Sequence, residues 1–403
     1  MAKKTRKGKR RRVASSSKPA RSTDASPAAV EARLARHRAD TPQSAEAAYE
    51  HGVALTQLGK LEEALEAMQS AMRLDVATLA YPLQVGMLCR ALGRMDDAAR
   101  AFQRTVGLAP QLPELLAQGQ VPTELEAEIR LALSVVGEKF VAFNEQTLAD
   151  VGARFPGDSL ERLASGLSGL VCGVRPSAHP LQRPGLLGFA NLRANAWFED
   201  AEFPWAAPVK DQWQAIWGEY EHVRRSGAED FRPYLAGGSG QSVAGSSLGA
   251  LAGSNDWSAY HLYRNGHRHE HECRQCPVTI GAVEQVLPRV RNQMPEVFFS
   301  RLVPNGHIVP HYGLMNVRLT VHLGLDIPSD SGLRVGDETR SWEPGGLLIF
   351  DDSFEHEAWN RGDRDRVVLI FEAWHPDLTA AEIAGIERVF ELRRDWIESC
   401  QPT

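Results

Sequence analysis

The run VRLTVHL, residues 317–323, alternates apolar and polar side chains with a period of two. A helix cannot bury that pattern on one face, whereas a strand with one side in a core requires it. Val317, Leu319, Val321 and Leu323 then point one way, and Arg318, Thr320 and His322 the other. Leu347–Phe350 and Val367–Phe371 are two more runs of β-type residues, with turn signals between. Thr379 and Glu382 form a capping box ahead of an amphipathic stretch through Ile383, Ile386, Val389, Phe390 and Trp396. Short strands flanked by helices predict a double-stranded β-helix, or jelly roll.

Upstream the pattern is different. Gly52, Leu58, Gly59, Ala64 and Leu74 recur 34 residues later as Gly86, Leu92, Gly93, Ala98 and Leu108. That period, with small residues where paired helices cross, is the tetratricopeptide signature. A further helical stretch, Thr123–Leu148, is expected to cap the two units. The chain therefore reads as an α+β multidomain protein. Residues 1–43 are a disordered basic tail and linker, 44–110 tetratricopeptide-like repeats, 111–175 a helical connector and 176–400 the β domain. Within the last, Gln212–Arg225 is expected to be an amphipathic helix with Trp213, Ile216, Trp217 and Tyr220 on one side. Ala236–Gly253, rich in Gly and Ser, lacks the Lys-Ser/Thr pair of a phosphate loop and reads as a flexible connection or a lid.

Charge narrows the function classes. Residues 1–24 carry ten Lys or Arg against Asp24 alone, so a chain of net charge −6 leaves −15 for the remaining 379 residues. The tail suits an anionic surface, or simply keeps the chain soluble, and the acidic body argues against a folded nucleic-acid binder. No apolar run reaches the length of a membrane span, no apolar segment follows the basic N-terminus, and five scattered cysteines do not form a disulfide framework. A reducing cytoplasm is expected.

His311 sits at the edge of a strand-like run and His356 in a loop after one, 45 residues apart. Two such imidazoles meeting in a barrel mouth suit iron, zinc or copper. Non-haem iron oxygenases add a carboxylate, in many cases two residues after the first histidine, and here that residue is Gly313. By motif alone the triad is incomplete, and a lone histidine pair is more often structural. Asp351 and Asp352 offer a replacement carboxylate, although a turn with solvated acids is the plainer reading. His307 precedes His311 by four residues, but Pro310 between them rules against a helical pair. His375 is expected to pack or hydrogen-bond. Cys273 and Cys276 beside His267, His269 and His271 present zinc-type ligands or a redox pair, but without a second matching pair local packing with surface histidines is the plainer reading.

From about Gln182 to Val389 the chain resembles the aspartyl/asparaginyl β-hydroxylase family. The resemblance runs through FFSRLVPNGHIVPH, HLGL, LIFDDSFEHEAWN and WHPDLT. It covers about half the chain, and family members often carry tetratricopeptide-like repeats. It implies the double-stranded β-helix fold and an Fe(II)- and 2-oxoglutarate-dependent dioxygenase that binds iron through two histidines and no carboxylate. Gly313 is then expected. By the same resemblance His311 and His356 are the iron ligands, Arg366 clamps the far carboxylate of 2-oxoglutarate, Ser300 assists it, and His322 lies near the C1 carboxylate. O2 is the second co-substrate.

One position departs from the family pattern. Thr320 stands where the animal enzymes carry an arginine thought to meet the substrate's acidic side chain, with Arg318 as a possible stand-in. The resemblance implies hydroxylation of a peptide or protein side chain, a small molecule or a lipid-linked acyl chain; the repeats read either as a groove for a protein partner or as a packing or dimerisation module. The alternatives are an adaptor or 2-oxoglutarate sensor whose dioxygenase domain is idle, and a zinc protein built on the His/Cys cluster.

Overall fold

The 34-residue repeat becomes two packed helix pairs. The computed structural model describes residues 26–226, 231–235, 253–290 and 292–401, so the basic tail and all but the last residue of the Gly/Ser-rich segment lie outside it. Helices α1 (Pro27–Asp40), α2 (Ala45–Gln57), α3 (Leu61–Leu74), α4 (Ala80–Ala91) and α5 (Met95–Leu108) follow in order. Gly59 and Gly93 make the turns inside the pairs at φ +73° and +74°, where a side chain would be strained. Gly52 and Gly86 are crossing points: a Cβ on Gly52 would lie 3.0 Å from Met68, and one on Gly86 2.4 Å from Phe102. These contacts repeat with the sequence, since Met68 and Phe102 are also 34 residues apart. Gln84 on α4 donates to Glu128 (2.9 Å), at the start of the helix Thr123–Arg154.

Two sequence expectations need correction here. Residues 27–40 are not linker but α1, started by Pro27 at its first position and by the Ser26 hydroxyl, which accepts from the backbone of Ala29. The chain divides between Leu133 and Ser134, not at 175/176. Val151, Leu163 and Leu167, expected in a connector, share a core with Val317, Ile386 and Val389 of the β unit. Arg162 forks onto Glu382 at 2.6 Å through both Nε and Nη2, and Glu382 also closes the predicted capping box of the helix Ala380–Ser399. Apolar stripes, invisible as partners in sequence, bring these helices into the second unit.

That unit holds two antiparallel sheets. The strands are β1 (Trp197–Phe198), β2 (Arg232–Pro233), β3 (Trp257–Arg264), β4 (His267–Arg268), β5 (Val297–Leu302) and β6 (His307–His311). They continue with β7 (Arg318–Asp326), β8 (Ser331–Val335), β9 (Glu338–Arg340), β10 (Leu347–Phe350), β11 (His356–Asn360) and β12 (Arg366–Trp374). One sheet runs β1-β10-β7-β12-β5-β3-β2, with β4 beside β3, and the other runs β6-β11-β8-β9. The chain crosses between sheets from β5 to β6 to β7 to β8 and again from β10 to β11 to β12, which is the double-stranded β-helix winding.

The alternation in β7 sorts as expected. Leu319, Val321 and Leu323 are buried against Tyr220, Ile216 and Phe299, beneath the helix Trp213–Ser226, while Arg318, Thr320 and His322 face the space between the sheets. Among the described residues no helix is long and apolar enough to cross a membrane. Gly86→Ala should destabilise the helical unit by about 1–3 kcal/mol because Phe102 cannot move aside. Gly52→Ala should cost less, since Met68 is flexible. Urea unfolding of the full chain followed by far-UV circular dichroism measures both.

Candidate active site

β6 and β11 pair so that His311 stands directly opposite His356, with the ring centroids 4.0 Å apart. Nδ1 of each ring is tied to a backbone carbonyl two residues earlier, His311 to Val309 (2.8 Å) and His356 to Phe354 (3.0 Å). A neutral imidazole that donates from Nδ1 keeps its lone pair on Nε2, the arrangement found in metal-ligating histidines. Burial, with His356 adding to it, pushes His311 down to about 3, and burial lowers His356 as well. Among the described residues no third His, Cys, Asp or Glu joins the pair to make a metal-binding cluster.

The pair lines a cavity of about 130 Å³ between the sheets. Arg366, the first residue of β12, lies in its wall and is 1% exposed. It donates to Ser300 Oγ (3.3 Å) and stacks over the Trp342 ring at 4.9 Å, while its Nε is buried without a partner. Among the described residues no carboxylate pairs with it, and burial pushes it down to about 9. Ser300, fully buried, also accepts from Trp257 Nε1 (3.1 Å), so it braces the arginine from behind rather than lining the cavity. His322 lines the cavity, and its Nδ1 accepts from Trp342 Nε1 (3.2 Å). That bond leaves Nε2 as the protonated nitrogen. Burial, then Arg366 and His356, hold the ring far below its usual range.

Asp352 explains Gly313. A Cβ at 313 would lie 2.2 Å from Asp352 Oδ1, and the Gly313 N–H donates to the Asp352 carbonyl (2.6 Å). The place where a triad acid would begin is filled by another carboxylate. The expectation of solvated acids at this turn is therefore wrong: Asp351 is fully buried and Asp352 is 8% exposed. Asp351 braces the loop through Ser353 and Gln182, and burial pushes it up to about 7. Asp352 Oδ2 accepts from Arg318 and from Thr320 Oγ1, each at 3.1 Å. Arg318 also pairs with Glu372 at 2.8 Å, so two carboxylates take up its charge.

The remaining candidates stand apart. His307 is exposed and bonds Glu357 (2.8 Å). His375 bonds the Arg193 carbonyl (3.1 Å) and packs edge-on against Phe198. Cys273 and Cys276 face the core, Cys273 Sγ donating to the Leu262 carbonyl (3.2 Å), whereas His267 and His271 are exposed. Sequence reasoning missed Trp342, Glu296 and Glu372. Glu372 was within reach, because Arg366, Ile370 and Glu372 share the even-numbered face of β12 and all line the cavity.

A family profile described as aspartyl/asparaginyl beta-hydroxylase matches residues 210–376. Residues 210–376 are a domain of the aspartyl/asparaginyl beta-hydroxylase family. It is 39% identical over 130 residues to the mouse aspartyl/asparaginyl beta-hydroxylase, a match covering 32% of this chain and 18% of that one. Similarity to the Rhizobium tropici ornithine lipid ester-linked acyl 2-hydroxylase is 32% over 195 residues, 47% of this chain and 64% of that one. To human aspartate beta-hydroxylase domain-containing protein 2 it is 28% over 250 residues, 60% and 64% respectively. The match thus spans less than a fifth of the mouse relative's length. In this domain Gly313→Ala should cost about 1–3 kcal/mol through the clash with Asp352. The penalty should shrink in an Asp352→Ala background, a coupling that a double-mutant cycle of unfolding free energies measures.

Proposed function

We propose that the β domain is an Fe(II)- and 2-oxoglutarate-dependent hydroxylase. One observation carries the reading: a buried guanidinium without a carboxylate partner shares a small cavity with two neutral, oriented imidazoles. An isolated buried charge is costly, and a dianion reaching from Arg366 to a metal at the histidines would compensate it. His311 and His356 fit the metal, each with Nδ1 committed to a carbonyl and Nε2 left as donor. Iron held there would supply the coupling of O2 and 2-oxoglutarate to substrate oxidation, R–H + O2 + 2-oxoglutarate giving R–OH + succinate + CO2.

The chain's own residues supply the rest. Arg366, held flat by Trp342 and steadied by Ser300, would grip the far carboxylate through two parallel N–H bonds. His322 would offer an Nε2 proton to the nearer carboxylate, with its tautomer set by Trp342. Phe298, Ile308, Phe350 and Ile370 keep the chamber apolar around these few polar groups. Hydroxylation of an amino-acid side chain is the first reading. A lipid-linked acyl chain is the second, favoured by the similarity to the Rhizobium tropici enzyme over nearly half of this chain.

His356→Ala should abolish succinate formation by the iron-loaded protein under O2, and turnover near wild type would sink the ligand assignment. Arg366→Met should weaken 2-oxoglutarate binding by about 2–5 kcal/mol, roughly thirtyfold or more. The same change should leave the unliganded fold at least as stable, since it removes an unpaired buried charge. Calorimetry with Mn(II) in place of iron, beside thermal unfolding, separates the two effects.

A further inference from the structure

Outward from the histidine pair the cavity opens into a vestibule of about 430 Å³, whose wall includes Tyr234, Trp257, Arg264, Gln293 and Leu314. Three carboxylates, Glu296, Asp352 and Glu372, line both chambers. Among the described residues the vestibule wall holds two guanidiniums, Arg264 and Arg318. Arg318 is taken up by Asp352 (3.1 Å) and Glu372 (2.8 Å), and Arg264 comes within ion-pair distance of none of the three. Arg366 belongs to the inner chamber alone. Among the described residues, three carboxylates therefore stand against two guanidiniums on the wall facing the substrate.

Among the described residues one buried carboxylate oxygen has no partner, and one oxygen of half-buried Glu296 has no close donor. Asp352 Oδ1 is buried with no hydrogen-bond partner. Glu296 accepts the backbone N–H of Asn265 with one oxygen, while the other lies 3.6 Å from His261 Nδ1, beyond hydrogen-bond reach. Burial, and then Glu372, push the Glu296 carboxyl up to about 7. Thr320, in the wall of the inner chamber, adds no positive charge and spends its hydroxyl on Asp352. A carboxylate oxygen without a donor is costly until one is supplied. An acidic occupant would instead meet like charge at close range.

We propose that the vestibule selects a substrate bearing a positively charged nitrogen, an ammonium or a guanidinium, beside the carbon presented to the histidines. The identity of that carbon rests on the hydroxylase reading, whereas the charge preference rests on the vestibule. A free basic amino acid and a basic residue within a peptide share this chemistry.

The test is calorimetry on the full chain at low ionic strength, with and without Mn(II) plus 2-oxoglutarate. The probes are the acetyl amides of L-lysine, L-arginine, L-leucine and L-aspartate, with free L-lysine and L-arginine beside them. A cationic probe should bind at least tenfold more tightly than the aspartyl and leucyl probes, and Glu296→Gln should remove most of that preference. Whether the free or the capped form binds more tightly distinguishes the two sources, and either supports the proposal. The proposal is overturned if no cationic probe binds, or if the aspartyl probe binds as well as the best of them. It is also overturned if Glu296→Gln and Glu372→Gln both keep the wild-type preference and melting profile. Binding of 2-oxoglutarate without cation preference would end this proposal and leave the hydroxylase reading standing. Cation preference without 2-oxoglutarate binding would do the reverse.

Discussion

The antiparallel pairing of β6 with β11 is the constraint on which the site depends. With side chains alternating at a period of two, a slip of one residue would turn His311 or His356 to the other face and dissolve the pair. The loop between β10 and β11 holds the register. The Gly313 N–H meets the Asp352 carbonyl, the Asp352 carboxylate lies on the Gly313 backbone, and Asp351 ties the turn to Ser353 and Gln182. Gly313 thus lacks a side chain because a neighbouring carboxylate fills the space. That is a packing reason for a position that, as a motif, looks like a missing ligand.

Charge is distributed along the cavity with a direction. Arg366 at the inner end has aromatic and hydroxyl neighbours and no carboxylate, while Arg318 at the outer end is flanked by two. Between them the imidazoles of His322, His311 and His356 are held neutral by burial. In a medium that penalises lone charges, such a cavity calls for an anion at one end and resists one at the other. The two tryptophans serve the inner end by different means. Trp257 donates to the serine behind the arginine, and Trp342 donates to His322 while lying under the guanidinium.

Much of this was legible in residue order. The alternation of β7 assigned both of its faces, the repeat at 34 residues located the helix crossings, and Thr379 with Glu382 marked the last helix. Other features were not legible, for reasons that can be named. Aspartates in a turn ordinarily read as solvated, and only the crowding of Gln182, Ser353, Arg318 and Thr320 around them shows that they are buried. Trp342 lies outside any strand, so no periodicity pointed it at His322. Helix Glu161–Cys172 looked like a connector because its partner, the helix Ala380–Ser399, is more than two hundred residues away.

By itself the sequence determined the faces of β7, the start of the last helix, the helix crossings of the repeat and the family resemblance, because these depend on local periodicity and on motifs written in consecutive residues. Tertiary structure alone decided which groups meet. It left Arg366 without a counter-ion, neutralised Arg318 with acids 34 and 54 residues further along the chain, and gathered three carboxylates on the outer wall. Electrostatic compensation depends on distance through space and on burial, and strand pairing sets both.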